Sequence, residues 1–240
     1  ALSLVGSEMC IRDRFRSMKK LEDLILTYKD FPKKGIDFKD VLEILQYPDI
    51  FQDLILKMSS NQLLKNAEAI ISIDARGFIF GSAVALESSK PMIVARKPGK
   101  LPGHILTREY DLEYGKNSLS IQSNALKKFN SFVIVDDLLA TGGTVNCVSS
   151  LLKAQRKEIL GLITVVELKE LKGRLKLDFP VQSMITFWKK KILKFVEKGN
   201  LVCFFYQSIK YKISYFKFIK EFKSEFEYVY MIPTDPAVKP

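Results

Sequence analysis

The 240-residue sequence holds one histidine, three cysteines and one tryptophan, and each scarcity removes a class of answers. With His104 alone and no Cys/His cluster, a structural zinc site has nothing to be built from. Cys10, Cys147 and Cys203 are far apart and odd in number, which points to a reducing compartment rather than a disulfide framework. No run is long and apolar enough to span a bilayer. The longest charge-free stretch, Leu138 to Leu152, contains two glycines, two threonines, an asparagine and two serines, whereas a spanning helix needs about 20 mostly apolar residues. What is plentiful is core material, 47% hydrophobic residues, which excludes wholesale disorder.

The formal net charge of +11 invites a nucleic-acid reading, but the excess is uneven: +1 over residues 1–17, +4 over 18–187 and +6 over 188–240. Residues 1–17, ALSLVGSEMCIRDRFRS, have no helical or strand period, and their basic residues follow the short apolar run instead of preceding it as in a signal peptide. They are expected to be an artefactual or disordered leader, with Met18 as a start. The tail, 188–240, has 13 aromatic residues interleaved with lysine. A single-strand nucleic-acid surface, a helical accessory and read-through of AT-rich DNA all fit it, the last two best. The domain is expected over 18–187.

Within that domain Leu21, Leu24, Ile25 and Tyr28 recur at helical spacing, and Pro48 to Asn66 reads as a second helix. Strands are expected at Ala69–Ile73, Met92–Ala95, Phe132–Val135, Ile159–Val166 and Val181–Thr186, with helices at Gly77–Glu87 and Gly143–Ala154. Strands with little alternation separated by helices indicate an α/β fold with a mostly parallel sheet covered on both faces. Residues Gly99 to Gly115 read as a long loop, of the kind used as a lid.

The sharpest chemical signal is Val133-Ile-Val-Asp-Asp-Leu-Leu-Ala-Thr-Gly-Gly-Thr144. A buried strand delivers adjacent carboxylates, Asp136 and Asp137, and the loop Ala140-Thr141-Gly142-Gly143-Thr144 then opens a helix. Glycines let the backbone approach an anion, the first helical N–H groups point at it, and the helix dipole favours negative charge. The carboxylates suit vicinal hydroxyls or, through water, a divalent ion. Phosphate, diol and metal within one turn describe a sugar phosphate. A Walker A loop is excluded, since no Gly-Lys-Ser/Thr follows the glycines. Asp74-Ala-Arg-Gly77 also follows a buried strand, and Arg76 offers a planar fork of donors for a pyrophosphate. Arg96, Lys97 and Lys100 add three cations in five residues, suited to a polyanion.

This stretch resembles the phosphoribosyl-pyrophosphate signature of the type I phosphoribosyltransferases. Five further segments resemble the adenine phosphoribosyltransferases of that family, in order and spacing: Asp30–Val41, Asp74–Gly81, Arg96–Gly103, Tyr110–Gly115 and Val165–Arg174. The resemblance covers residues 18–187. It implies the type I phosphoribosyltransferase fold, with a central mostly parallel sheet, a small hood and a flexible lid loop. It implies a non-proline cis peptide at Asp74-Ala75, and AMP formation from adenine and 5-phosphoribosyl-1-pyrophosphate with Mg²⁺, in a cytoplasmic homodimer acting on small molecules, without nucleic-acid or membrane partners.

By the same resemblance, Ala140 to Thr144 would take the 5′-phosphate, and Asp136 and Asp137 the ribose hydroxyls and, indirectly, the metal. Ala75, Arg76, Arg96, Lys97 and Lys100 would form the pyrophosphate side. Phe38 would stack on the base, beside Asp37 and Lys39, which depart from the family's usual apolar residue and arginine. Glu113 and Tyr114 would sit in the lid. Glu113, Arg76 and Asp137 are the expected catalytic residues, and Glu113 would handle the purine proton. Two other readings are a regulator of the same fold that senses phosphoribosyl pyrophosphate and binds nucleic acid, and a transferase for hypoxanthine, guanine or orotate.

Overall fold

The computed structural model describes residues 20–112 and 115–188, with the backbone alone at 110–112 and 115–117, and the backbone of three strands between 196 and 214. The chain divides into two compact units, Ala1–Trp188 and Lys189–Pro240.

In the first unit a 3-10 turn (Leu21–Leu24) leads into β1 (Leu26–Tyr28), which pairs antiparallel with β2 (Phe38–Asp40). The helix expected from the spacing of Leu21 to Tyr28 is therefore replaced by a turn and a strand. Ile25 is already extended (φ −94°, ψ 96°), and pairing of Tyr28 with Phe38 overrides the local period. This hairpin is the small hood, tied together by an edge-on contact of Phe31 with Phe38 at 5.2 Å. The single helix expected from Pro48 to Asn66 is two: α1 (Pro48–Ser59) and α2 (Gln62–Lys65). Asn61 separates them, its side chain accepting from the Leu63 N–H at 3.0 Å, an N-cap that restarts the helix.

The remaining elements are β3 (Ala69–Ile73), α3 (Gly77–Glu87), β4 (Met92–Ala95), the hairpin β5 (Ile105–Leu112) and β6 (Gly115–Gln122), α4 (Ser123–Leu126), β7 (Ser131–Leu139), α5 (Gly143–Ala154), β8 (Glu158–Leu168) and β9 (Val181–Phe187). Five strands form one wholly parallel sheet in the order β4-β3-β7-β8-β9. Their side chains alternate between two cores. Ile70, Val133, Val135, Ile163 and Val165 face one core with α1 and α3, and Ile71, Ile73, Phe132, Ile134 and Leu162 face the other with α5. Both faces are covered, which is why the strand text reads as nearly continuous Val/Ile/Leu.

Of residues 99–115, expected as a loop, 105–112 form β5, the first arm of a hairpin with β6. The alternation that builds this hairpin lies just downstream, where Leu119 and Ile121 are buried against the second core. Arg96 and Ser120 exchange both backbone hydrogen bonds, at 2.9 and 2.7 Å, so the hairpin hangs from the end of β4. In the second unit, β10 (Val196–Lys198), β11 (Leu201–Tyr206) and β12 (Ile209–Ser214) form an antiparallel three-stranded sheet. The described backbone of the tail is thus strand, where a helical accessory is one of the forms weighed.

One close approach seats α3 on the sheet. A Cβ at Gly81 would lie 2.2 Å from the Ser72 Oγ and 2.6 Å from its Cβ. Alanine would gain about 1 kcal/mol of helix propensity, but the clash is with a backbone-anchored atom and wins. Gly81→Ala should therefore lose about 1–3 kcal/mol of stability in urea unfolding. Ser72→Ala should be neutral or stabilising, because the buried Ser72 hydroxyl has no hydrogen-bond partner among the described residues. A Gly81→Ala protein as stable as wild type would refute the close-packing account.

Candidate active site

The strand order reverses direction between β3 and β7. In open α/β sheets ligands bind in the crevice at such a switch point, outside the carboxyl ends of the strands. Here the connections following β3 and β7 flank a cavity of about 390 Å³. It gathers Phe38, Ala75, Arg76, Asp136 and Asp137, and the whole loop Ala140 to Thr144. These residues come from three separated stretches of sequence: the parallel sheet brings the loops after β3 and β7 to one edge, and the hood hairpin adds Phe38.

The loop after β3 begins with a cis peptide between Asp74 and Ala75, as the family resemblance implies. Arg76 follows and makes three contacts. Its guanidinium pairs with the Asp137 carboxylate at 2.8 Å, donates to the Lys39 carbonyl at 3.3 Å, and lies over the Phe38 ring with its central carbon 4.7 Å from the centroid. One side chain therefore links the acid pair, the hood backbone and the aromatic face. Gly77 is next, and a Cβ there would meet the Asp136 Oδ1 at 2.7 Å. Absence of a side chain lets the start of α3 lie against the end of β7.

Asp136 and Asp137 sit on β7, each 7% exposed. The Asp137 N–H donates to the Asp136 Oδ1 at 2.9 Å. Burial pushes the Asp136 carboxyl well above the usual carboxylate range, and repulsion from Asp137 adds to it. Asp137 is also raised by burial, while the nearby Arg76 guanidinium opposes the rise. Among the described residues the Asp137 Oδ2 has no aligned hydrogen bond, so its pairing with Arg76 is one of charge and distance.

After β7 the chain turns through Gly142, which is left-handed at φ 78°, and enters α5 at Gly143. With no acid in its first turn, α5 presents an unneutralised N-terminus to the cavity. Among the described residues no group of three or more His, Cys, Asp and Glu forms a metal cage.

Not every expected site residue enters the cavity. Arg96 reaches its rim, its Nε 3.2 Å from the Asp74 carboxylate. Asp74 is a residue that sequence reasoning missed, although it stands at the head of the Asp-Ala-Arg-Gly motif. Lys97 and Lys100 are exposed on the loop after β4. Lys39 turns its ammonium to the Thr27 hydroxyl at 2.6 Å and over the Phe187 ring at 4.3 Å, away from the cavity. Burial lowers its pKa, with Asp37 and Glu170 opposing. Glu113 and Tyr114 lie outside the described residues.

The profile of the phosphoribosyl transferase domain matches residues 40–196. Two adenine phosphoribosyltransferases of Prochlorococcus marinus are similar to the chain. One is 88% identical over 70% of the chain and 99% of its own length, the other 71% identical over 70% and 98%. Among solved structures, the adenine phosphoribosyltransferase of Thermoanaerobacter pseudethanolicus superposes with a TM-score of 0.65 at 39% identity, covering 70% of this chain and 98% of its own. The Saccharomyces cerevisiae enzyme, solved with an imino-altritol bisphosphate and adenine, gives 0.64 at 35% identity, covering 69% and 96%.

The raised carboxyl of Asp136 has a testable sign. A group whose folded pKa lies above its unfolded value favours the fold when protonated, and loses that contribution as pH rises through the folded pKa. Removing the charge should recover it. Asp136→Asn keeps an oxygen for the Asp137 N–H and should melt higher than wild type at pH 8, by about 2–4 °C for each kcal/mol recovered. The gain should shrink toward about pH 4, where the unfolded carboxyl also protonates. Scanning calorimetry across that range reads it, and a lower Tm at pH 8 would contradict the assignment.

Proposed function

The chain belongs to the phosphoribosyl transferase domain family, within it to the adenine phosphoribosyltransferases, and from that premise we propose how its residues form AMP and pyrophosphate from adenine and 5-phosphoribosyl-1-pyrophosphate. The observation that carries the reading is the meeting of an anion-binding loop, an acid pair, an arginine and an aromatic ring in one cavity of substrate size.

The 5′-phosphate is assigned to Ala140 to Thr144, where the left-handed Gly142 and the start of α5 turn backbone N–H groups toward it. The ribose hydroxyls fall to Asp136 and Asp137. These carboxylates are held out of water, and hydroxyl donors are what they lack. Pyrophosphate is assigned to Arg76, the cis-linked Ala75 and Arg96, with Lys97 and Lys100 reaching in from their exposed loop. The base is assigned to Phe38, with the hood residue Asp37 beside it, while Lys39, whose side chain turns away, contributes its carbonyl to Arg76.

Mg²⁺ fits this donor set. It favours one or two carboxylates together with substrate phosphates over a full protein cage, and two hard carboxylates line the cavity without such a cage. Asp136 and Asp137 would hold it through water, and when bound it neutralises charge on the leaving pyrophosphate.

In the reaction adenine N9 bonds to C1 of the ribose while the C1–O bond to pyrophosphate breaks, the leaving oxygen keeping the electron pair. Glu113 is assigned the proton released from the purine, and Tyr114 a place in the same lid. Arg76 is central because leaving-group charge develops beside it. A guanidinium already fixed between Asp137 and the Lys39 carbonyl needs little reorganisation to meet that charge. We further propose that the enzyme is a cytoplasmic homodimer. The exposed position of Lys97 and Lys100 supports a pyrophosphate side completed at a subunit contact.

With phosphoribosyl pyrophosphate and Mg²⁺, adenine should be converted to AMP, and hypoxanthine, guanine and orotate should give no product. Asp137→Asn, which removes the partner of Arg76, should cut turnover by about 100-fold or more. Wild-type turnover in that variant would overturn the ribose assignment. Product from another base but not from adenine would overturn the base assignment.

A further inference from the structure

Behind the phosphate loop, outside the cavity, lies a second ion pair, buried at its carboxylate and half-exposed at its arginine. Glu167, near the end of β8, has a side chain only 3% exposed. Arg174 grips it with both arms of its guanidinium, Nε on Oε1 at 2.9 Å and a terminal nitrogen on Oε2 at 2.5 Å. The remaining terminal nitrogen donates to the Val181 carbonyl at 2.7 Å, and the Ser183 hydroxyl donates to Glu167 Oε2 at 2.9 Å. The hydrogen bond from Arg174 holds the Glu167 carboxyl below its usual range, with burial opposing. The turn between β8 and β9 is thereby stitched to both strands, although Lys172 within it is left-handed at φ 54°.

Gly173 stands beside that arginine, and its backbone is pressed into the phosphate loop. A Cβ on Gly173 would lie 2.1 Å from the Ala140 carbonyl oxygen and 2.9 Å from the Gly142 nitrogen. In the other direction, a Cβ on Gly142 would lie 2.8 Å from the Gly173 carbonyl oxygen. The loop rests backbone to backbone on Gly173, whose position is set by Arg174.

We propose that Gly173, anchored by the Glu167–Arg174 pair, is a positioning residue for the 5′-phosphate subsite. None of the three touches the cavity. They fix the loop whose N–H groups must converge on the phosphate, so they govern recognition of the phosphate and not of the base or the ribose. The inference rests on the assignment of the 5′-phosphate to Ala140 to Thr144.

The test compares AMP with adenosine, which differ only in the phosphate. On the full chain, calorimetric titration should find AMP the tighter ligand of the wild type. In Gly173→Ala, AMP affinity should fall by about 10-fold or more while adenosine affinity changes by less than about 2-fold. KM for phosphoribosyl pyrophosphate should rise more than kcat falls. Glu167→Gln is the milder second variant, for use if Gly173→Ala does not fold, and should show the same selective loss to a smaller degree. Arg174→Lys should show the same selective loss of AMP affinity, because an ammonium cannot span both carboxylate oxygens as the guanidinium does. A lowered Tm with the AMP-to-adenosine ratio unchanged would mean a structural role only and overturn the inference. A wild type that shows no preference for AMP over adenosine would instead overturn the phosphate assignment on which it rests.

Discussion

Two adjacent carboxylates buried at the carboxyl end of a hydrophobic strand are the constraint around which this site is organised. Asp136 and Asp137 lie nearly out of water, where ionised groups are unfavourable unless paired or hydrogen-bonded. The surroundings answer that demand piece by piece. Gly77 supplies room for the Asp136 carboxylate, the Asp137 N–H supplies a donor, and Arg76 supplies the opposing charge. Arg76 in turn reaches the hood through the Lys39 carbonyl and the Phe38 ring. The charge problem of one strand end thus fixes the relation between hood, first loop and sheet. The partly met needs that remain suit hydroxyl donors and cations, the role proposed for a sugar diol and a metal ion.

The parallel sheet and its acid pair were legible in the sequence because burial on both faces leaves continuous Val/Ile/Leu runs, and two acids at the end of such a run suit few roles besides binding a ligand. Ala69–Ile73, Gly77–Glu87, Met92–Ala95 and Gly143–Ala154 have the expected bounds. The errors fall where tertiary pairing competes with local pattern. Leu21 to Tyr28 carries a helical period, yet its second half pairs with Phe38–Asp40. Residues 99–115 show no period of their own, because the alternation that anchors their hairpin belongs to Leu119 and Ile121.

Within the site, the residues of the two connecting loops were legible as motifs, and the cavity unites them. What no motif reveals is direction. Lys39 stands next to Phe38 in sequence, but in a strand successive side chains point to opposite faces, and it turns to Thr27 and Phe187 instead. Asp74 and Gly173 were equally invisible as participants. Each lies within a recognisable segment, and each acts on a distant partner, Arg96 for one and the Ala140 to Gly142 backbone for the other.

The meeting of Gly142 with Gly173 bears on how such a site can vary. Side-chain contacts can be adjusted by degrees, a methylene at a time, and a neighbouring change can repair a poor fit. Two backbones in contact offer no such gradations, since the smallest possible addition at either position is a whole methyl group placed about 2 to 3 Å from fixed main-chain atoms. The loop end of this pocket is therefore mutationally brittle, while the end lined by the Phe38 side chain of the hood can drift. With the 5′-phosphate assigned to the loop and the base to Phe38, new base preferences would be easier to reach over sequence change than release from the phosphate.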